Sequence, residues 1–272
     1  MMSGELNAVV VQRVEVAPGL LVLRVSPVGW ELPSFRPGQF AVLGLPAEAP
    51  RHPFADPTDD PAPRNGALIR RSYSIASSSA DRQYLEFYLT LVRSGSLSPR
   101  LFALGVGDRL WLGPKLTGVF TFDQAPQDAN LVMIATGTGL APYMSQLRSD
   151  LVSGSKRRIA VLHGARHSWD LGYRSELIAM QRLCPNLSYL VTVSRPDEEP
   201  VPWGGDAGYV QDLWAKRRLN DAWGVGPDPA GTHVFLCGNP DMVDSMTAVL
   251  AGEGFREHTR ARPGQVHVER FW

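Results

Sequence analysis

Leu131-Val132-Met133-Ile134-Ala135-Thr136-Gly137-Thr138-Gly139-Leu140-Ala141-Pro142-Tyr143 is the stretch that decides the fold of this chain. Its opening apolar run has no polar interruption, as expected of a strand buried on both faces in a parallel sheet. Thr136-Gly137-Thr138-Gly139 then stops the strand with two residues free to take backbone angles closed to others. Pro142 suits the first turn of a helix, where its missing N–H costs nothing. Leu140, Met144, Leu147 and Leu151 follow at helical spacing. Strand, glycine turn and helix start together present free N–H groups to an anion such as a phosphate. Gly-x-Gly-x-x-Pro differs from the usual dinucleotide fingerprint, and such turns often serve only as tight connections.

Downstream of this stretch, Arg158–His163, Leu187–Ser194 and His233–Cys237 read as strands. Helical patterns separate them, clearest over Tyr173–Leu183 and Asp241–Leu250. Strands alternating with helices predict a doubly wound parallel sheet. Upstream the rhythm differs. Residues 8–25 read as two strands around Ala17-Pro18-Gly19, and Gly38–Leu45, Ile69–Ala76, Tyr84–Val92 and Leu110–Leu112 continue the series. Leu97–Leu104 is read as a short helix. Short strands with frequent turns predict an antiparallel barrel. Residues 46–67 carry six prolines and no apolar periodicity, so an irregular, exposed and mobile loop is expected there. The expected domains are therefore 1–124, an antiparallel β-barrel, and 125–272, an α/β domain, meeting in the polar stretch Asp123–Asp128.

Composition narrows the function classes. Lys+Arg and Asp+Glu both number 27, so no bulk attraction to nucleic acid or to a membrane is implied. No apolar run reaches the length of a bilayer span, and the first residues lack a signal-peptide pattern. Cys184 and Cys237 are the only cysteines, too few for a disulfide framework or a four-cysteine cluster. A reducing cytoplasm is the expected compartment. His163 and His167 are four apart, but Gly164 between them argues against a helical metal pair, and no metal site is expected. His267-Val268-Glu269 lacks the Pro-Cys-x-x-Cys partner of a zinc deaminase. Gly-x-Ser-x-Gly and Gly-Lys-Ser/Thr are absent, which removes support for hydrolase and triphosphatase readings.

Ligands of an open parallel sheet lie beyond the carboxyl ends of its strands. Four such ends carry Thr136–Gly139, Gly164-Ala165-Arg166, Ser194-Arg195 and Cys237-Gly238-Asn239-Pro240. Either arginine alone reads more readily as a solvated loop residue, but two at successive strand ends favour a phosphorylated ligand, because guanidinium pairs bidentately with phosphate. In the first half, Arg71-Ser72-Tyr73-Ser74 offers a cation, a flat ring and hydroxyls within one strand, or else an ordinary strand with an outward arginine.

These motifs in this order resemble the bacterial ferredoxin (flavodoxin)–NADP reductase family. The resemblance spans nearly the whole chain, adding Leu85–Leu89, Leu97–Leu101, Gly107-Asp108 and the aromatic end Phe271-Trp272. It implies an FAD-binding barrel followed by an NADP-binding doubly wound domain. Arg71 would clamp the FAD pyrophosphate, with Ser72 beside it; Tyr73 would stack on the isoalloxazine and Ser74 would lie near flavin N5. Tyr88, Leu89, Thr90, Leu91, Ser96, Leu97 and Ser98 would complete the flavin site. Thr138 would border the nicotinamide, Phe271 would cover the second flavin face, and Trp272 would reach the adenine of FAD. Ala165, Arg166, Ser194, Arg195 and Asp241 would serve NADP, and Cys237 would line the nicotinamide pocket. Tyr209 stands where bacterial relatives often carry a second arginine and plant-type enzymes a tyrosine stacked on adenine. Preference for NADP over NAD thus rests mainly on Ser194 and Arg195.

The resemblance implies hydride transfer between NADPH and flavin N5, with electrons leaving singly to a separate ferredoxin or flavodoxin. Ser74, Cys237 and Phe271 would be the catalytic residues, and the enzyme a monomer. Arg93, Arg100, Arg256, Arg260 and Arg262 are read as a basic rim for an acidic carrier, or as scattered solvated arginines. The alternatives on this scaffold are an NAD(P)H-dependent flavin reductase or an oxygenase-linked reductase. A non-catalytic redox sensor is the alternative of another class.

Overall fold

The computed structural model describes residues 5–57, 67–151 and 155–270. Phe271 and Trp272, and residues 58–66 of the proline-rich loop, lie outside the described residues. The chain forms two compact units. One holds the described residues of Met1–Thr121 together with Ala141–Asp150; the other holds those of Phe122–Leu140 and Leu151–Trp272.

The first unit contains β1 (Ala8–Ala17), β2 (Leu20–Pro27), β3 (Phe40–Pro46), β4 (Leu68–Ser74), β5 (Leu85–Thr90), α1 (Ser98–Phe102) and β6 (Arg109–Leu112). The strands form one sheet in the order β4-β3-β6-β1-β2-β5, with every pairing antiparallel. Ile75, just past β4, bridges Phe87 of β5, and the Ala76 N–H donates to the Glu86 carbonyl at 2.7 Å. The two edge strands thus meet, which closes the sheet into the expected barrel and removes its open edges. Leu21, Leu23, Leu43, Ile75, Phe87 and Leu110 fill its interior.

Helix α2 (Ala141–Asp150) belongs to this unit as well. Its Gln146 amide donates to the Phe120 carbonyl at 2.8 Å, and its Arg148 guanidinium meets Glu86 at 2.6 Å. Arg24 of β2 meets the other oxygen of Glu86 at 2.7 Å. Glu86 is only 1% exposed, so two arginines supply what water would otherwise give a buried carboxylate.

The second unit contains β7 (Asn130–Thr136), β8 (Ile159–Ala165), α3 (Arg174–Leu183), β9 (Leu187–Val193), β10 (Asp206–Ala207), α4 (Val210–Ala215), α5 (Arg218–Trp223), β11 (Thr232–Cys237), α6 (Pro240–Gly252) and β12 (Val266–Glu269). The sheet order is β10-β9-β8-β7-β11-β12, parallel throughout. From β7 the chain builds outward one way through β8, β9 and β10, then returns to add β11 and β12 on the other side. The strand order therefore reverses between β7 and β11, the position at which such sheets bind ligands. The buried run Leu131–Ala135 of β7 is flanked on both sides by other strands, as its unbroken apolarity predicts.

Candidate active site

In the first unit, β4 delivers Arg71, Ser72, Tyr73 and Ser74 in one run. Arg71 is exposed; its Nη1 donates to the Arg70 carbonyl at 2.8 Å and its Nη2 to the Ser96 hydroxyl at 3.3 Å. A cation and a hydroxyl that stand 25 positions apart in the chain are thereby brought together, a donor pair suited to a diphosphate. The Tyr73 ring packs on the barrel core. Burial outweighs the nearby Arg71 cation and pushes its phenol up to about 12, so the ring stays neutral. Ser74, half-buried, ends β4 opposite Phe40.

Tyr88, Leu89 and Leu97 are buried, Leu89 and Leu97 within the barrel core. Main-chain groups are what these two offer a ligand. Thr90 and Leu91 are half-buried where β5 ends. The Ser98 hydroxyl accepts from the Val92 N–H at 3.1 Å and donates to the Val92 carbonyl at 3.2 Å, which folds the turn holding Ser96.

That turn is fastened by residues the sequence analysis passed over or read differently. Arg100 is 8% exposed and donates to the Ala47 carbonyl and, at 2.5 Å, to the Ser96 carbonyl. It is a buried bracket, so it drops out of the expected basic rim. Arg93 pairs with Asp56 at 3.1 Å. Arg51 donates to the carbonyls of Gly95, Asp56 and Arg93. The described part of the proline-rich loop is thus pinned to residues 93–99, while several of its side chains, Phe54 among them, are exposed as expected. Arginines interspersed among prolines were the available signal.

In the second unit, the carboxyl edge of the sheet gathers most of the remaining residues. Taken in spatial order, consecutive strand ends present Tyr209, Ser194-Arg195, Ala165-Arg166, Thr136–Thr138, Cys237 and Glu269. Strand pairing continues past the last residues of β8 and β9. The Ser194 N–H donates to the Ala165 carbonyl at 3.0 Å, and the Arg195 N–H to the Arg166 carbonyl at 2.9 Å. This fixes the two arginines side by side on exposed backbone. Tyr209, 71% exposed, follows Gly208, whose N–H donates to the Val193 carbonyl.

At the strand-order reversal the two loops interlock. The Thr136 hydroxyl accepts from the Asn239 N–H at 2.9 Å, and the Asn239 side chain caps α6 by accepting from the Asp241 N–H at 2.7 Å. Asp241 itself is exposed in the first turn of α6. A Cβ on Gly139 would collide with the Cys237 carbonyl, and one on Gly238 (φ +143°) with the Thr136 hydroxyl. Only glycine lets these turns approach so closely. Thr138 lies in the single tight turn Gly137–Leu140 that precedes α2.

Cys237 is buried, and its Sγ lies 3.9 Å from Oε2 of Glu269. Burial, reinforced by that carboxylate, pushes the thiol well above its ordinary range, so it is protonated and unreactive as a thiolate. Glu269 was missed in the sequence because β12 is too short to show alternation. Its register, opposite Cys237, places it here.

Among the described residues, no group of three His, Cys, Asp or Glu is placed to hold a metal ion, and no helix is long and apolar enough to cross a membrane. The model for the oxidoreductase NAD-binding domain matches residues 133–248, the segment that supplies all of this edge but Glu269. A flavodoxin/ferredoxin–NADP reductase of Shigella flexneri is 32% identical over 88% of this chain and 88% of its own. The chain belongs to the ferredoxin (flavodoxin)–NADP reductase family. A ferredoxin–NADP reductase B of Sorangium cellulosum is 36% identical over 77% of this chain and 81% of its own. Among solved structures, a ferredoxin NADP+ reductase from Neisseria gonorrhoeae with bound FAD and NADP shares the fold at a TM-score of 0.80, with 22% identity over 98% of both chains.

Proposed function

We propose that this reductase moves electrons between NADPH and a one-electron carrier, a ferredoxin or flavodoxin, as an FAD enzyme. The observation that carries the reading is the unbroken series of chemically apt residues along six adjacent strand ends. When bound, FAD supplies the exchange between a hydride and single electrons. The functional division is drawn at residues 124 and 125, with the flavin side in the barrel and the nicotinamide nucleotide side in the α/β part.

Arg71 and Ser96, with Ser72 and the N–H groups of the Ser96–Ser98 turn, hold the FAD diphosphate. Tyr73 gives the flavin a neutral flat face, and Tyr88, Leu89, Thr90, Leu91 and Leu97 shape its surroundings. Ser74 offers a hydroxyl to the reacting edge. The family resemblance assigns the opposite face and the adenine end to Phe271 and Trp272, which lie outside the described residues. Arg166, Arg195 and Ser194 bind NADP phosphates, with Ala165, Tyr209 and Asp241 beside them, and Thr138 and Cys237 position the nicotinamide. A protonated, buried thiol suits positioning rather than nucleophilic attack. The enzyme works as a cytoplasmic monomer.

Purified protein, reconstituted with FAD where needed, should be yellow, bleach within seconds of anaerobic NADPH addition, and pass electrons to ferredoxin or flavodoxin faster than to free flavin. A colourless protein that cannot be reconstituted, or one that never bleaches, would refute the reading.

A further inference from the structure

Arg166 and Arg195 do not stand free at the sheet edge: a chain of contacts joins them. Arg166 Nε lies 3.8 Å from Oδ2 of Asp170, and the same oxygen lies 3.2 Å from Nδ1 of His167. The other ring nitrogen, Nε2, lies 2.8 Å from Oε2 of Glu198, whose Oε1 is 3.4 Å from Nη1 of Arg195. The imidazole is stacked flat on Trp169, with centroids 4.4 Å apart and an interplanar angle of 9°. Glu199 anchors the turn that carries Glu198 by accepting from the Ser168 N–H and the Ser168 hydroxyl. The order is cation, carboxylate, imidazole, carboxylate, cation.

The links differ in strength. Arg195 and Glu198 are 51% and 55% exposed, and an ion pair that open contributes little. His167 is only 13% exposed and its contact with Glu198 is short, so the imidazole is the firmer anchor of that carboxylate. Glu198 is therefore held beside Arg195 by a neighbour, with its second oxygen on the guanidinium that a phosphate needs. A carboxylate near an adenosine ribose favours a free 2′-hydroxyl, and an arginine favours a 2′-phosphate. Here both are present and touch each other.

Resting on the placement of NADP at this edge, we propose that Glu198 is a specificity-determining residue that competes with the coenzyme's 2′-phosphate for Arg195. It weakens the discrimination against the unphosphorylated coenzyme. His167 is the positioning residue that holds it there.

The test compares 2′,5′-ADP with 5′-AMP, which differ only in the 2′-phosphate, as ligands of the holoenzyme by calorimetry. Wild type, Glu198→Gln, Glu198→Ala and Arg195→Ala are measured at one ionic strength. Removing the charge of Glu198 should tighten 2′,5′-ADP by about two- to fivefold, the scale of an exposed charge contact released, while leaving 5′-AMP unchanged or weaker. Equal or weaker 2′,5′-ADP binding in both Glu198 variants, with Arg195→Ala still losing affinity, would overturn the proposal and leave the site intact. Indifference of 2′,5′-ADP to Arg195→Ala would overturn both. NADPH and NADH steady-state rates give a second readout: the KM for NADPH should fall in Glu198→Gln with kcat little changed.

Discussion

Ser74 closes β4 one residue beyond the neutral, half-buried Tyr73 phenol. A hydroxyl at that point contributes orientation rather than affinity, and orientation is costly to lose. Ser74→Ala should therefore retain FAD and yet slow hydride transfer by about tenfold or more. Flavin absorbance measures the first quantity and stopped-flow bleaching the second; wild-type rates would remove the role given to Ser74. At this scale the sequence was informative where chemistry is concentrated in a run, as in Arg71–Ser74. It was silent where chemistry depends on register. Nothing local in His-Val-Glu announces that Glu269 lies across from Cys237, and Arg100 is indistinguishable from a surface arginine until its two carbonyl partners are seen.

Among the elements, β2, β5 and α2 share a single buried carboxylate, Glu86, with Arg24 and Arg148 on its two oxygens. Breaking such an arrangement from the middle removes the carboxylate that both guanidinium groups contact. Glu86→Ala should cost about 1–3 kcal/mol, the range for losing hydrogen bonds to charged groups, because the arginines left behind are partly exposed, and Glu86→Gln less. Urea unfolding midpoints measure this, and a loss no larger than that of an exposed charge would refute it. The long strands and helices were legible because β7, α3 and α6 are long enough to display a period. The elements β10, α4, α5 and β12, of two, six, six and four residues, are not. Tertiary packing of Val210, Leu213, Trp214, Leu219 and Trp223 makes α4 and α5 helical, rather than any pattern within a single turn.

For the molecule as a whole, two buried histidines contribute to the response to acid. His163, fully buried with Nδ1 3.0 Å from the Tyr189 hydroxyl, is held by burial at about 4. His267 is held at about 3, by burial first and then by His233 and His258 beside it. Both are neutral in the folded protein, whereas in the unfolded chain each gains a proton near pH ~6.5. The unfolded state therefore binds more protons below that value, so stability falls as pH drops from about 6.5 toward about 4 and is flat in these groups above it. Denaturant midpoints from pH 8 to 4.5 should show this slope, shallower in His163→Gln and in His267→Phe; parallel slopes in all three proteins would exclude it.

The placement of α2 also governs how the gene can be divided. Because that helix follows β7 in the chain yet belongs with the barrel, neither compact unit is a continuous segment. A fragment ending at Thr121 would lack Arg148 and with it one of the guanidinium contacts of Glu86. Its complement would carry an orphan helix whose Tyr143 has lost the Phe120 ring it packs on. Separately expressed halves therefore call for transplanting ten residues from one to the other, or for a permuted gene, rather than one pair of scissors.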